Sequence, residues 1–156
     1  MNDELNKARA YAMRLLGFRS QSVAEMQKKM IRKKFSRSTV QAVVNELRSQ
    51  GYLNDNRFAK ELIQSTVRRK AVGQFYLRKK LLEHGISESI INDILAKELP
   101  EDKEKELARE AAAHKIEEFQ VKLSRISTMQ KGKLARFLNS RGFAGDIIRE
   151  ILDELT

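Results

Sequence analysis

Apolar residues return at helical spacing along nearly the whole chain, and one order of stripes returns three times. Phe35 is followed by Val40, Val43, Val44 and Leu47. Ile86 is followed by Ile90, Ile91, Ile94, Leu95 and Leu99, and Phe143 by Ile147, Ile148, Ile151, Leu152 and Leu155. Offsets of +5, +8 and +9 are common to the three sets and draw one stripe along a helix face. Nine and five residues before the same anchors stand Met26 and Met30, Leu77 and Leu81, Leu134 and Leu138, which predicts a second helix in each copy. Earlier still, Tyr11-Ala12 with Leu15-Leu16 matches Phe58-Ala59 with Leu62-Ile63, and Leu107-Ala108 with Ala111-Ala112. The anchors lie 51 and 57 residues apart and the first-helix stripes 47 and 49, so four and then eight residues are inserted between helix one and helix two. These are about one and two helical turns. A longer first helix absorbs them, through Val67 in the second copy and Ile116, Phe119 and Leu123 in the third.

Boundary residues divide the stripes into helices. Ser22-x-x-Glu25 has the form of a capping box. Ser36, Ser87 and Asp146 are candidate N-caps for the third helices, and Asn54 caps the helix that follows it. Gly51, Gly85 and Gly142 follow helical stretches, where glycine tolerates the left-handed conformation that ends a helix. Pro100 cannot continue the helix before it. The reading is an all-α chain of nine helices in three helix-turn-helix-like units, at residues 1–52, 53–100 and 101–156. Units of about 50 residues are only weakly stable alone, so the three stack as tandem repeats in an elongated, curved solenoid.

Composition narrows this further. Only 7 Gly and 1 Pro occur, too few for the turns of a sandwich or barrel. There is no Cys, which excludes disulfides, thiol catalysis and cysteine-ligated zinc. The acidic, polar start is unlike a signal peptide and no apolar run reaches membrane-spanning length, so a cytoplasmic protein is expected. His84 and His114 form no zinc motif, and no phosphate-binding glycine loop is present. His84 suits a helix end, Glu117-Glu118 a solvated face, and Met13, Met26, Met30 and Met129 core filling. No active site, metal site or cofactor emerges, and a non-enzymatic binding protein is the default.

The net charge of +10 points to an acidic partner: nucleic acid, an acidic protein or an anionic membrane. The charge divides as +7, +3 and zero over the three units. Its densest runs, Lys28-Lys29, Arg32-Lys33-Lys34, Arg68-Arg69-Lys70 and Arg78-Lys79-Lys80, surround the second helices. Lys28, Lys79 and Arg136 share one repeat position, turned away from the core stripe, and would form a row along the solenoid. Phe75 and Leu82 form a second apolar stripe on helix five, read as packing against a neighbouring repeat; Tyr76 is left open. A terminal amphipathic helix with bulky anchors is lacking, which argues against a membrane surface.

Gly51-Tyr52-Leu53-Asn54-Asp55-Asn56-Arg57-Phe58-Ala59 resembles the Gly-Tyr-Leu-Asp-Asp-x-Arg-Phe-Ala signature of the RecX family. Arg68-Arg69-Lys70, Leu77-Arg78-x-x-Leu81 and Gly85-Ile86 resemble its central repeat, and Arg141-Gly142-Phe143 an Arg-Gly-Phe near its C-terminus. The chain departs in the turn before helix five, where Lys70-Ala71-Val72-Gly73-Gln74 replaces Lys-Gly-x-Gly-Pro. The resemblance implies tandem three-helix repeats. It also implies a regulator, most often an inhibitor, of the RecA recombinase, which binds the groove of the RecA filament on single-stranded DNA and suppresses ATP hydrolysis, strand exchange and co-protease activity. The implied setting is recombination, DNA repair and the SOS response. The expected contacts are Arg68, Arg69, Lys70, Arg78 and Lys79, with Lys28 and Arg136 behind them. A monomer with weak, nonspecific DNA binding fits this reading. The alternative is a helix-turn-helix-like protein acting directly on DNA, with Arg37, Gln41, Asn45 and Arg48 of the first unit as readers. The third helices of the other units offer Glu88, Asn92 and Asp93, then Asp146, Arg149 and Glu150, and their acidic residues oppose sequence reading by those units.

Overall fold

The computed structural model describes residues 2–120 and 126–155. Among them are nine α-helices and no strand: α1 (Asn2–Phe18), α2 (Val23–Arg32), α3 (Arg37–Ser49), α4 (Asp55–Arg69), α5 (Gln74–Glu83), α6 (Glu88–Glu98), α7 (Glu101–Glu118), α8 (Thr128–Ser140) and α9 (Gly145–Glu154). Helices α1–α3, α4–α6 and α7–α9 pack as three bundles, and within each the first and third helices lie against one another. The accessible surface of 9822 Å² exceeds the roughly 8,000 Å² of a compact monomer of this mass, as an extended repeat array requires.

The stripes become the core. Met26, Met30, Leu77, Leu81, Leu134 and Leu138 are fully buried, as are Val43, Val44 and Ile91. The buried apolar side chains fall into two groups. One lies within the first bundle and includes Leu53, from the linker that leaves it. The other runs without a break through the second and third bundles, with Ala71 and Val72 of the α4–α5 turn inside it. The first bundle is thus a body with its own core, and the other two share one.

The helix starts follow from the sequence with one exception. Ser22 and Glu25 form the capping box, and Ser36, Ser87 and Asn54 cap α3, α6 and α4. Asp146 does not cap α9. Its N-cap is Ala144, one residue after the anchor Phe143, as Ser36 and Ser87 follow Phe35 and Ile86. The third copy therefore keeps the extended backbone of the cap without the oxygen, and Asp146 sits in the first turn. Ser127 and Gln130 add a second capping box at α8, which the apolar stripes did not reveal.

The inserted residues are only partly helical. Helix α1 ends two residues after Leu16, whereas α4 runs six beyond Ile63 and α7 six beyond Ala112. The first insertion is absorbed as one turn of α4; α7 runs no further past its stripe than α4 does, so the second falls in a longer α7–α8 connection and an earlier start of α8. Ile116 is buried and Phe119 is the C-cap of α7, while Leu123 lies outside the described residues.

Candidate partner-binding face

The second helices of the three bundles meet end to end. At the first junction the Ser22 hydroxyl, at the N-cap of α2, donates to the His84 carbonyl at the C-cap of α5 (2.5 Å). At the second, the Gly73 N–H, at the N-cap of α5, donates to the Arg141 carbonyl at the C-cap of α8 (2.9 Å), and the Phe75 N–H to the Gly142 carbonyl (2.9 Å). Ser22 and Gly73 hold the same repeat position, thirteen before the anchor; His84 and Arg141 share the position two before it. Donors at one helix start, a hydroxyl at the first joint and N–H groups at the second, thus meet free carbonyls at the next helix end.

Side chains finish each joint differently. At the first, Asp55 Oδ1 accepts from the Val23 N–H (2.9 Å) and Glu25 Oε2 pairs with His84 Nδ1 (3.0 Å), whose ring lies 5.2 Å from that of Phe58. Burial pushes the Glu25 carboxyl up, but the Ser22 N–H, the His84 ring and the Arg19 charge outweigh it and hold Glu25 below its ordinary value. At the second joint Gly73 brings no side chain to cap α5, and Glu104 of α7 supplies the acceptor. Its carboxylate takes the Gln74 N–H (3.0 Å) and the Gln74 side-chain amide (3.1 Å) while only 2% exposed. The departure from a proline at Gln74 therefore creates two donors, and a buried carboxylate uses both.

Some of the motif residues stand in the α3–α4 turn and others at these joints. Gly51 takes a positive φ and its carbonyl accepts from Arg57 Nη2 (2.7 Å); Leu53 is buried and Tyr52 exposed. Gly85 (φ 78°) faces Ala24 and Gly142 (φ 81°) faces Tyr76, so closely that a Cβ would stand 2.5 Å from Ala24 Cβ in one case and 2.2 Å from the Tyr76 nitrogen in the other. Arg141 stacks on Phe137 (4.7 Å to the ring centre) and donates to the Ala71 carbonyl (3.2 Å). Phe143 is buried.

The end-to-end joints also correct the reading of Phe75 and Leu82. The second helices join end to end, not along the flank of α5, so these side chains stay 55% and 44% exposed. Tyr76 is half-buried beside Gly142 and carries Lys70 at 5.2 Å over its ring. Met13 and Met129 are exposed as well, unlike the core methionines Met26 and Met30.

The candidate contact residues separate into three places. Lys28, Lys79 and Arg136 are exposed at one position of the joined helices. Arg68, Arg69 and Lys70 line a cleft of about 230 Å³ together with Lys115, Arg141, Glu110 and Glu118, where Lys115 pairs with Glu118 (3.0 Å) and lies 5.0 Å from the Phe137 ring centre. Arg78 is half-buried and turned elsewhere, in a cleft that also holds Glu101, Glu104 and Asp146. No cluster of His, Asp or Glu placed to hold a metal occurs among the described residues, and no helix there is long and apolar enough to cross a membrane.

Comparison with known families matches residues 8–47 to the first three-helix domain of RecX and residues 54–95 to the second. The chain belongs to the RecX family. Among curated RecX relatives, the regulatory protein RecX of Chlorobium limicola is 37% identical over 150 residues, which span 96% of this chain and 90% of that one. The regulatory protein RecX of Chlorobium phaeobacteroides is 34% identical over 96% and 93% of the two chains. The crystal structure of RecX from Lactobacillus salivarius superposes with a TM-score of 0.89 at 20% identity, covering 99% of this chain and 98% of that one, and so shares the RecX fold.

Proposed function

We propose that this chain is a non-catalytic regulator that binds the filament of RecA recombinase on single-stranded DNA and inhibits its ATP hydrolysis, strand exchange and co-protease activity. Membership of the RecX family supports the reading, and the joined second helices are the structural observation that carries it. Lys28, Lys79 and Arg136 hold one exposed position of these helices, and a row of them on an extended body is a form suited to touching several protomers of a filament. Shared contacts raise affinity by effective concentration and need no deep pocket. The cleft with Arg68, Arg69 and Lys70 offers a second cationic contact. Arg78, among acidic neighbours, stands at the edge of this set. The working unit is a cytoplasmic monomer of three repeats divided near residues 52 and 100.

The test is RecA ATP hydrolysis on single-stranded DNA, titrated with this protein at two salt concentrations. Falling hydrolysis, weakened by salt, is expected. Unchanged hydrolysis and strand exchange at equimolar protein would remove the reading. Direct DNA binding draws on α3, where Arg37, Gln41, Asn45 and Arg48 are exposed. On α6 and α9 the exposed residues include Glu88, Asp93 and Asp146, which repel phosphate. A defined operator sequence in a binding selection would favour that alternative; salt-sensitive binding without sequence preference favours the filament.

A further inference from the structure

Each junction between second helices opens into a surface cleft, and the two clefts are built from the same repeat positions. The cleft between α5 and α8, about 440 Å³, is walled by Phe75, Tyr76, Lys79, Lys80 and Glu83 of α5. The cleft between α2 and α5, about 340 Å³, is walled by Ala24, Glu25, Lys28, Lys29 and Arg32 of α2. These are the residues eleven, ten, seven, six and three before the anchor in both units. The far walls also correspond: Asn139 and Gly142 in one, Leu82 and Gly85 in the other. The two pockets thus share one frame across matching joints, and the part of the lining that repeats in both is the lysine pair and the glycine opposite.

Each cleft sets its lysine pair beside an exposed, large apolar side chain, on the near wall in one and on the far wall in the other. Lys79 and Lys80 stand with Phe75, and Lys28 and Lys29 with Leu82. Phe75 and Tyr76 could take a stacked base in the α5–α8 cleft, but in the α2–α5 cleft a nucleic-acid backbone would satisfy the lysines and leave Leu82 uncovered, since an aliphatic side chain offers no face for a base to stack on. A protein segment bearing carboxylates and a bulky apolar residue satisfies both parts. Helix rise sets Lys28 and Lys79 no more than about 20 Å apart along the joined helices.

We propose that the two clefts are two copies of one docking site, each taking an acidic protein segment with a bulky apolar side chain, and that a partner presenting two such segments fills both. The inference goes beyond the filament reading: it names the recognition chemistry and stands whether or not RecA is the partner.

The test uses the full chain and a fluorescein-labelled peptide of glutamate pairs alternating with leucine, single and in tandem. A flexible Gly/Ser linker of about 14 residues has a mean span near 20 Å and matches the separation. The tandem peptide binds at least tenfold tighter than the single one. Lys28→Glu with Lys29→Glu, or Lys79→Glu with Lys80→Glu, each reduces the tandem to single-peptide affinity. Arg37→Glu with Arg48→Glu makes the same charge change on α3 and leaves the tandem advantage intact. Circular dichroism checks folding, and the Lys→Gln pairs replace any charge reversal that unfolds the chain. The proposal is overturned if the tandem has no advantage or if the α3 variant loses as much as the cleft variants. It is equally overturned if oligothymidine binding, but not peptide binding, depends on the cleft lysines.

Discussion

Replacing Glu104 with alanine isolates the joint between the second and third bundles. The carboxylate is 2% exposed and accepts two hydrogen bonds, from the Gln74 N–H at the first turn of α5 and from the Gln74 side chain. Hydrogen bonds to a charged group contribute about 1.5–3 kcal/mol each, and a negative charge at a helix N-terminus about 0.3–1 kcal/mol more. The two bonds share one acceptor group and are not additive, so the expected loss is about 3 kcal/mol. For a chain of this size that lowers Tm by roughly 6–12 °C. The assay is thermal and urea unfolding followed by circular dichroism, with Glu104→Ala, Glu104→Gln and Gln74→Pro side by side. Glu104→Gln keeps the shape and one acceptor, and costs less than the alanine. Gln74→Pro places the family's residue in the turn but removes both donors, leaving a buried carboxylate without them, and costs as much as Glu104→Ala. A Glu104→Ala protein melting within 2 °C of the parent, or a stabilised Gln74→Pro, would refute the view that this carboxylate caps α5.

Ala144→Ser supplies the missing N-cap oxygen of α9 and raises stability by about 0.5–1 kcal/mol; a urea midpoint that does not rise would show the position closed to a cap. Gly142→Ala forces a Cβ to 2.2 Å from the Tyr76 backbone at a positive φ, whereas Gly51→Ala, at a similar φ, meets nothing within 4 Å. The first is expected to lose at least about 2 kcal/mol more than the second, since strain is common to both and the clash is not; equal melting temperatures would contradict the tight joint. Glu25 has a folded-state pKa below its ordinary value of 4.5, so its stabilisation is complete above that value and fades as pH falls through the lower, folded value. Urea midpoints measured from pH 6 to pH 3 therefore decline more steeply for the parent than for Glu25→Gln, and parallel curves would count against the Ser22 N–H and the His84 ring as the contacts that hold this carboxyl low.

The bundles were legible because apolar periodicity reports burial directly. Met26 and Met30, Leu77 and Leu81, and Leu134 and Leu138 repeat at one spacing and are fully buried. The joints were not legible. They rest on the His84, Arg141 and Gly142 carbonyls, met by the Ser22 hydroxyl and by the Gly73 and Phe75 N–H groups; backbone groups occur at every residue without leaving a pattern, and Ser22 stands out only as a cap. Periodicity on α5 misled for the same reason: an apolar stripe at Phe75 and Leu82 suggests lateral packing only when neighbouring units meet along their flanks. Arg78 and Lys79 are neighbours in sequence, yet the 100° step between them sends one into an acid-lined cleft and the other to the exposed row.

The position just before each anchor shows how the joints constrain the sequence. It is Lys34, Gly85 and Gly142, and all three take a positive φ, of 77°, 78° and 81°. The same helix-ending geometry is therefore required in every unit. Gly85 and Gly142 each stand against the start of another second helix, at Ala24 and Tyr76, where no Cβ fits. Lys34 follows α2, whose C-terminal end meets no further second helix among the described residues, and there a side chain is tolerated at the cost of left-handed strain alone. Conformation by itself permits lysine at this position; only contact demands glycine. The two glycines consequently mark the ends that are covered, and the lysine marks the end of the joined helices that is open to solvent, beside Arg32 and Lys33.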